Sequence, residues 1–219
     1  MVRLFGEVLV SEEQLNLKFS TDPNPNPNPK EAEMRIIGLA GSPRKGGNSD
    51  LLLDALLAGA QSQGAEAIKY ALNRLSIRGC QACYACKKTG KCKQRDDMDQ
   101  LYPELLAADV WVFATPVYWW GPSAQLKLAL DRMFPFCHPP LLGRVQGKQA
   151  VLLTASEDKP AAAAPHLRGM MREAMNYLGV EWAGELLVQA YQKGEVKNNR
   201  AALAKARKLG EKLALGSGL

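Results

Sequence analysis

No apolar run in the chain reaches the roughly 18 residues that a membrane-crossing helix needs, which argues against a membrane partner. The opening residues, Glu7, Glu12 and Glu13 among them, lack the basic start and apolar stretch of a secretion signal, so a cytoplasmic location is expected. Histidine is scarce, and the two that occur, His138 and His166, read as structural. Basic residues outnumber acidic ones only modestly, 28 to 22. The excess gathers around the cysteines and in the tail over residues 193–212. It has neither interleaved aromatics nor a recognisable nucleic-acid module, which argues against a nucleic-acid partner. With 47% of 219 residues apolar and 23% charged, full disorder and fibrous repetition are excluded as well. What is left is a chain long enough for one sizeable core.

Residues 23–29 read Pro-Asn-Pro-Asn-Pro-Asn-Pro. Repeated proline fixes φ and removes backbone donors, which predicts an extended, solvated spacer. The expected division is an N-terminal arm with this spacer over residues 1–33 and a folded domain over residues 34–219. The arm alternates in hydropathy enough to add a strand or clasp a second subunit. Equally, Met34 opens like a true start, which would leave the arm as upstream sequence.

From Met34 the pattern alternates. Residues 35–40, 109–115 and 149–154 are short apolar runs, as strands buried on both faces should be. Residues 67–72 are a weaker candidate, and 182–188 read as an edge strand. Helical patterns begin near Ser49 and cover residues 97–108, 123–134, 165–178 and 196–215, with Pro103 implying a kink or a late start in the second. This alternation predicts an α/β fold with a doubly wound parallel sheet and helices on both faces. About five strands favours the order 2-1-3-4-5. Ligands of such sheets sit beyond the carboxyl ends of the strands, which directs attention to the loops after Ala40, Thr115 and Thr154.

The first of these loops is Gly41-Ser42-Pro43-Arg44-Lys45-Gly46-Gly47-Asn48-Ser49. Its backbone donors and the helix start behind it form an anion site. Ser42, Asn48 and Ser49 add neutral donors, Arg44 adds a charge-assisted one, and the glycines, Gly47 included, let a ligand come close. A triphosphate loop would need Lys-Ser/Thr where Gly47-Asn48 stands, and the dinucleotide fingerprint Gly-x-Gly-x-x-Gly is absent. A monophosphate suits the residues better than a triphosphate with magnesium. The plainer alternative is an ordinary turn capped by Asn or Ser.

Four of the five cysteines fall within thirteen residues, as Cys80, Cys83, Cys86 and Cys92. A reducing cytoplasm argues against disulfides. Cys-x2-Cys-x2-Cys with a fourth thiol close behind matches the compact ligation of an iron–sulfur cluster, and Lys87, Lys88, Lys91, Lys93 and Arg95 would offset its negative charge. Zinc sites usually show two pairs with a longer insert between them. Iron–sulfur ligation therefore leads, with zinc and packed or subunit-contact thiols kept open. Cys137 stands apart and reads as a core or interface thiol.

Thr115-Pro116-Val117-Tyr118-Trp119-Trp120-Gly121-Pro122-Ser123 follows the central strand. Three adjacent aromatics there could wall a slot for a flat ring, or anchor a dimer, or both.

At this point the chain resembles the flavodoxin-like NAD(P)H-dependent FMN reductases. The resemblance rests on Gly41-Ser42-Pro43-Arg44-Lys45 with Asn48-Ser49, the cysteine run ending in Asp96-Asp97-Met98, Ala108-Asp109, and Thr115-Pro116-Val117-Tyr118-Trp119 with Lys127 and Asp131-Arg132. The cysteine spacing is similar to that of the iron–sulfur flavoprotein branch. About residues 34–215 are covered, and the arm and spacer have no counterpart. The resemblance implies a flavodoxin-like fold with FMN as cofactor. It assigns Ser42, Arg44, Gly47, Asn48 and Ser49 to the phosphate and Pro116, Val117, Tyr118, Trp119 and Gly121 to the isoalloxazine. Thr154, Ala155 and Ser156 would form a third loop. Trp120 departs from the glycine expected after the aromatic. The implied activity passes electrons from NAD(P)H to a flavin, quinone or similar acceptor, with a [4Fe-4S] cluster on Cys80, Cys83, Cys86 and Cys92 as an added centre. The alternative is an electron-transfer iron–sulfur flavoprotein relaying single electrons between carrier proteins. A homodimer or homotetramer is expected. The flavin carries the chemistry, so no catalytic side chain is nominated.

Overall fold

The structure, a computed structural model, describes residues 33–216, so the expected arm and Asn-Pro spacer lie outside the described residues. Five strands form one parallel sheet: β1 (Arg35–Ala40), β2 (Glu66–Ala71), β3 (Val110–Pro116), β4 (Gln149–Ser156) and β5 (Glu181–Gln189). Their order is β2-β1-β3-β4-β5, as the alternation predicts. Successive side chains of a strand point to opposite faces, so a run of apolar residues feeds two cores at once. Ile37, Leu39, Trp111, Phe113 and Leu152 enter one core, while Ile36, Val110, Val112, Val151 and Leu153 enter the other.

The second core is closed by α1 (Asn48–Gln61) and α7 (Arg200–Ala214), through Leu52, Leu53, Leu56, Ala206 and Leu209. These two helices touch backbone to backbone. A Cβ on Gly210 would stand 1.9 Å from the Leu56 carbonyl oxygen, and one on Gly59 would stand 2.1 Å from that of Arg207. The first core is closed by α3 (Met98–Ala107), α4 (Ala124–Asp131) and α6 (Pro165–Tyr177), through Met98, Leu101, Leu105, Leu126, Leu167 and Met171. Two four-residue helices, α2 (Cys86–Thr89) and α5 (Pro160–Ala163), complete the set and have no counterpart in the sequence pattern.

Two helices differ from expectation at their ends. The segment over 123–134 leaves the α-helix at Asp131 and resumes as a 3-10 turn at Phe134–Cys137. Pro135 accounts for this, because it has no amide to give to the Asp131 carbonyl and its ring crowds that carbonyl, so the α-helix cannot run on. In the last helix, Glu195–Asn198 is a separate 3-10 turn and α7 starts at Arg200. Asn199 caps it, accepting a bond from the Ala202 amide at 3.0 Å. Pro103 sits inside α3 without delaying its start at Met98. No helix among the described residues is long and apolar enough to cross a membrane.

Candidate functional site

The loop after β1 is bolted in place from behind. The Gly41 amide donates to the Ala114 carbonyl at 2.7 Å, and the Ser123 hydroxyl donates to the Gly41 carbonyl at 2.6 Å. A side chain at Gly41 would meet Leu126 and Ser123 at 2.9 Å, so the loop must pass over α4 as bare backbone. Beyond it Gly47, extended at φ −69° and ψ 167°, takes the N-cap position of α1 and offers no side-chain cap. The plainer alternative, an Asn or Ser cap, is therefore absent, and the first-turn amides of Asn48, Ser49 and Asp50 have no carbonyl within the helix to receive them. Such amides, aided by the helix dipole, suit an anion.

The side chains of the loop are partly engaged. The Ser42 hydroxyl accepts from the Arg44 amide at 3.1 Å. Asn48 reaches across to the segment after β5, donating to the Gln192 carbonyl at 2.9 Å and accepting from the Val196 amide at 3.1 Å. Its amide group thus tethers that segment, and Asn48 also lines the cleft described next. Asp50, a carboxylate beside a prospective anion, accepts from the Gly46 amide at 2.8 Å and pairs with Lys69 at 2.5 Å. Burial works to lower the pKa of Lys69, but Asp50 and Asp54 outweigh it and leave it raised, so the ammonium keeps both carboxylates neutralised.

One cleft of about 300 Å³ gathers most of the residues singled out in the sequence. Ser42, Arg44, Gly47, Asn48 and Ser49 form one end. Pro116, Val117 and Tyr118 form a wall, and Ala155 and Ser156 come from the third loop. Glu157, Ala190, Tyr191 and Lys193, which belong to none of the three sequence motifs, also line it. Three of these follow β5, and the rule that ligands sit at strand carboxyl ends would have flagged that fourth loop.

Three expected residues lie outside this lining. Thr154 is buried and its hydroxyl donates to the Thr115 carbonyl at 2.6 Å, tying β4 to β3. Gly121 pairs with Tyr118 in both directions, at 2.9 and 3.0 Å, closing a two-residue turn. Trp119 occupies that turn with Trp120. Both have left-handed backbone, φ 49° and 60°, and stand 91% and 52% exposed. Positive φ at both central residues is the geometry of a tight hairpin turn that ordinarily takes Asn or Gly. A bulky residue there costs roughly 1–2 kcal/mol. Trp119 and Trp120 border an adjoining hollow, about 480 Å³, that shares Val117, Ser156 and Glu157 with the cleft.

The cysteine segment lies apart from this cleft. Cys80 and Cys83 are exposed, Cys86 is buried at the start of α2, and Cys92 is intermediate. Burial foremost pushes the Cys86 thiol up, and repulsion from Cys92, Cys80 and Cys83 adds to it. Among the described residues, however, no three His, Cys, Asp or Glu side chains converge as a metal-ligand group. The backbone between the thiols does suit an anionic cluster: Tyr84 and Ala85 have φ of opposite sign, 56° and −56°. Successive residues of opposite hand turn their amides into one concavity.

The two ends of this segment are stapled together by a buried ion pair. Arg132 grips Asp96 with both nitrogens, at 2.7 and 3.1 Å, and the side chains are 1% and 4% exposed. Asp96 also accepts from the amides of Arg78 and Met98, and Arg132 donates to the Arg78 carbonyl at 2.8 Å. Nothing in the local sequence joins these residues.

The sheet order and the cleft at the strand ends define a flavodoxin-like α/β protein. Residues 34–185 match the family described as NADPH-dependent FMN reductase. The chain is 35% identical over 182 residues to an iron-sulfur flavoprotein of Archaeoglobus fulgidus, covering 83% of this chain and 79% of that one. It is 31% identical over 187 residues to an iron-sulfur flavoprotein of Methanocaldococcus jannaschii, covering 83% and 96%. In three dimensions it superposes on an NAD(P)H:quinone oxidoreductase from Methanothermobacter marburgensis with a TM-score of 0.68 at 20% identity, covering 83% and 96%. The chain belongs to the NADPH-dependent FMN reductase family and is an oxidoreductase of that kind.

Proposed function

We propose that the chain binds FMN in the cleft between the loops after β1, β3 and β4, and passes electrons from NAD(P)H to a quinone, flavin or similar acceptor. The observation that carries this reading is the uncapped N-terminus of α1 opening into a cleft whose other walls come from the neighbouring strand ends. When bound, FMN supplies a ring that takes a hydride and releases electrons singly or in pairs. The chain's own residues do the holding. The first-turn amides of α1, the Ser49 hydroxyl and the Arg44 guanidinium would receive the phosphate, with Lys193 adding positive charge. Pro116, Val117 and Tyr118 would set the plane of the ring, and Ala155 and Ser156 would close its far edge. Asn48 acts by fixing the segment that carries Tyr191 and Lys193.

Arg44→Ala and Ser49→Ala should each weaken FMN binding by about 1–3 kcal/mol, the worth of a hydrogen bond to a charged group. Fluorescence titration reads this, and unchanged affinity in both variants would place the phosphate elsewhere.

The cysteine segment would hold a [4Fe-4S] cluster on Cys80, Cys83, Cys86 and Cys92. The opposite-handed backbone at Tyr84–Ala85 supports this, as do the names of the two relatives. Reduced thiols of this kind fit a cytoplasmic setting. Cys83→Ser should abolish iron and acid-labile sulfide in anaerobically prepared protein yet leave FMN bound, since the two sites use different loops. Loss of both together would refute their separation.

A second reading, an electron relay between carrier proteins, is favoured by the exposed collar of Lys87, Lys88, Lys91, Lys93 and Arg95 around the thiols. Such a collar steers an acidic carrier. Salt-sensitive reduction by a carrier, with negligible NADPH oxidation, would select it. The exposed Tyr118, Trp119 and Trp120 suit contact with a second copy in a homodimer or homotetramer. Light scattering of Trp119→Arg protein tests this, and an unchanged mass would remove the turn from the contact.

A further inference from the structure

On the β2 side of the same loop lies a second concavity, about 670 Å³, larger than the cofactor cleft. Its charge is lopsided. Arg44, Lys45, Lys69, Arg74 and Lys193 line it against only Asp50 and Asp54. Both carboxylates are already taken by Lys69, at 2.5 and 2.6 Å. Arg44, Lys45, Arg74 and Lys193 form no ion pair among the described residues. Arg44 and Lys193 are shared with the cofactor cleft, so Lys45 and Arg74 are the two cations that face this hollow alone with their charge unspent.

The position of Arg74 narrows the ligand. It ends the 3-10 turn Leu72–Arg74 that begins directly after the last residue of β2. The preceding Asn73 pins this turn to the phosphate loop by donating to the Pro43 carbonyl at 3.4 Å, and it accepts from Gln125 at 3.3 Å. Classical dinucleotide-binding sheets accommodate a 2′-phosphate on an arginine near the end of the second strand, with the pyrophosphate on the helix N-terminus that FMN takes here, so what carries over is the strand-end position of the guanidinium. The guanidinium fork suits a phosphate dianion better than a point charge does. The hollow also shares Ser42, Arg44 and Lys193 with the cofactor cleft, so a ligand seated here adjoins whatever the cleft holds.

We propose that this basic hollow receives the 2′-phosphate of NADPH, with Arg74 and Lys45 as the residues that distinguish NADPH from NADH. The proposal rests on the reading of the neighbouring cleft as the FMN site. One loop would then separate two phosphates, the cofactor's on its α1 side and the co-substrate's on its β2 side. Arg44 and Lys193 stand at the boundary between them.

The test pairs binding with kinetics in the full-length protein. Calorimetry with adenosine 2′,5′-bisphosphate and adenosine 5′-monophosphate, with and without FMN, should show the bisphosphate binding about tenfold tighter or more, as a hydrogen bond to a charged group requires. Arg74→Ala should erase that difference, and Lys45→Ala should reduce it. In FMN-loaded protein, Arg74→Ala should cut the ratio of kcat/KM for NADPH over NADH by about tenfold or more, chiefly through KM, with Arg74→Lys recovering part. Equal affinity for the two adenosine nucleotides, or an unchanged NADPH/NADH ratio in Arg74→Ala, would overturn the proposal. Inorganic phosphate competing as well as the bisphosphate would make the hollow a general phosphate site and also overturn it. A wild-type protein that takes no FMN would sink the reading of the cleft, while the calorimetric comparison would still decide the hollow on its own.

Discussion

Asp96→Asn removes one charge from the pair that staples the cysteine segment, and its cost can be worked from the geometry. The carboxylate accepts four bonds, two from Arg132 at 2.7 and 3.1 Å and one each from the Arg78 and Met98 amides at 3.0 and 3.1 Å. An amide in its place has one acceptor oxygen and a donor that opposes the guanidinium or an N–H. Arg132 is left charged and 1% exposed, with its Nε already lacking a partner among the described residues. Breaking a buried pair from one side costs about 3–5 kcal/mol. Domains are stable by about 5–15 kcal/mol, so the loss is a large share of the total. Urea unfolding followed by circular dichroism should show it as a lower midpoint with little change in slope. Asp96→Asn/Arg132→Gln should cost less than the two single changes added, because no charge is then stranded. The pair also has a pH signature. Burial alone would raise the Asp96 pKa, but the bonds from Arg132 and the two amides, together with the guanidinium charge, outweigh it and leave it lowered. A lowered carboxylate contributes stability that is complete above its unfolded value of about 3.9 and is lost as pH falls through the folded value. The wild-type protein should therefore lose stability below about pH 4 more steeply than Asp96→Asn does. An Asp96→Asn protein within about 1 kcal/mol of wild type, with the same acid limb, would refute the reasoning.

Other changes test the packing and the turn. Gly210→Ala would normally favour a helix, yet a Cβ 1.9 Å from the Leu56 carbonyl must force α1 and α7 apart. A loss of about 1–3 kcal/mol or more is expected in thermal unfolding, and any gain would contradict the close crossing. Trp119→Gly relieves a left-handed residue whose side chain is 91% exposed, and should raise stability by about 1 kcal/mol at concentrations where the protein is monomeric. Val196→Pro removes the amide that Asn48 accepts from, and should weaken FMN binding through the freed segment even though residue 196 does not line the cleft. Unaltered FMN affinity in a folded Val196→Pro protein would deny the tether a role.

What was legible in the sequence is what local chemistry dictates. β1 was bounded to the residue, because an apolar run ending at a glycine needs no distant partner to define it. β3 and β4 were placed for the same reason, and with the helices between them they were enough for the sheet order. The phosphate loop and the aromatic loop were legible as strand ends. Where expectation and structure part, the deciding neighbour is remote. Thr154 looks like any loop residue until Thr115 is beside it. Asn48 reads as a ligand donor, and its bonds to Gln192 and Val196, 144 and 148 residues away, add a tether that no local pattern shows. Asp96 and Arg132 each belong to a motif of the family resemblance, but nothing local to either pairs them across 36 residues. The Trp119–Trp120 turn runs against local preference altogether, since its positive φ is imposed by the Tyr118–Gly121 pairing.

In the proposed FMN site, the bare N-terminus of α1 grips the phosphate. The most direct measurement compares FMN with riboflavin, which has the same ring and no phosphate, by titration of the flavin-free protein. FMN should bind at least about 100-fold tighter, the sum of two or more charge-assisted bonds. Equal affinity for the two flavins, or no binding of either, would contradict it.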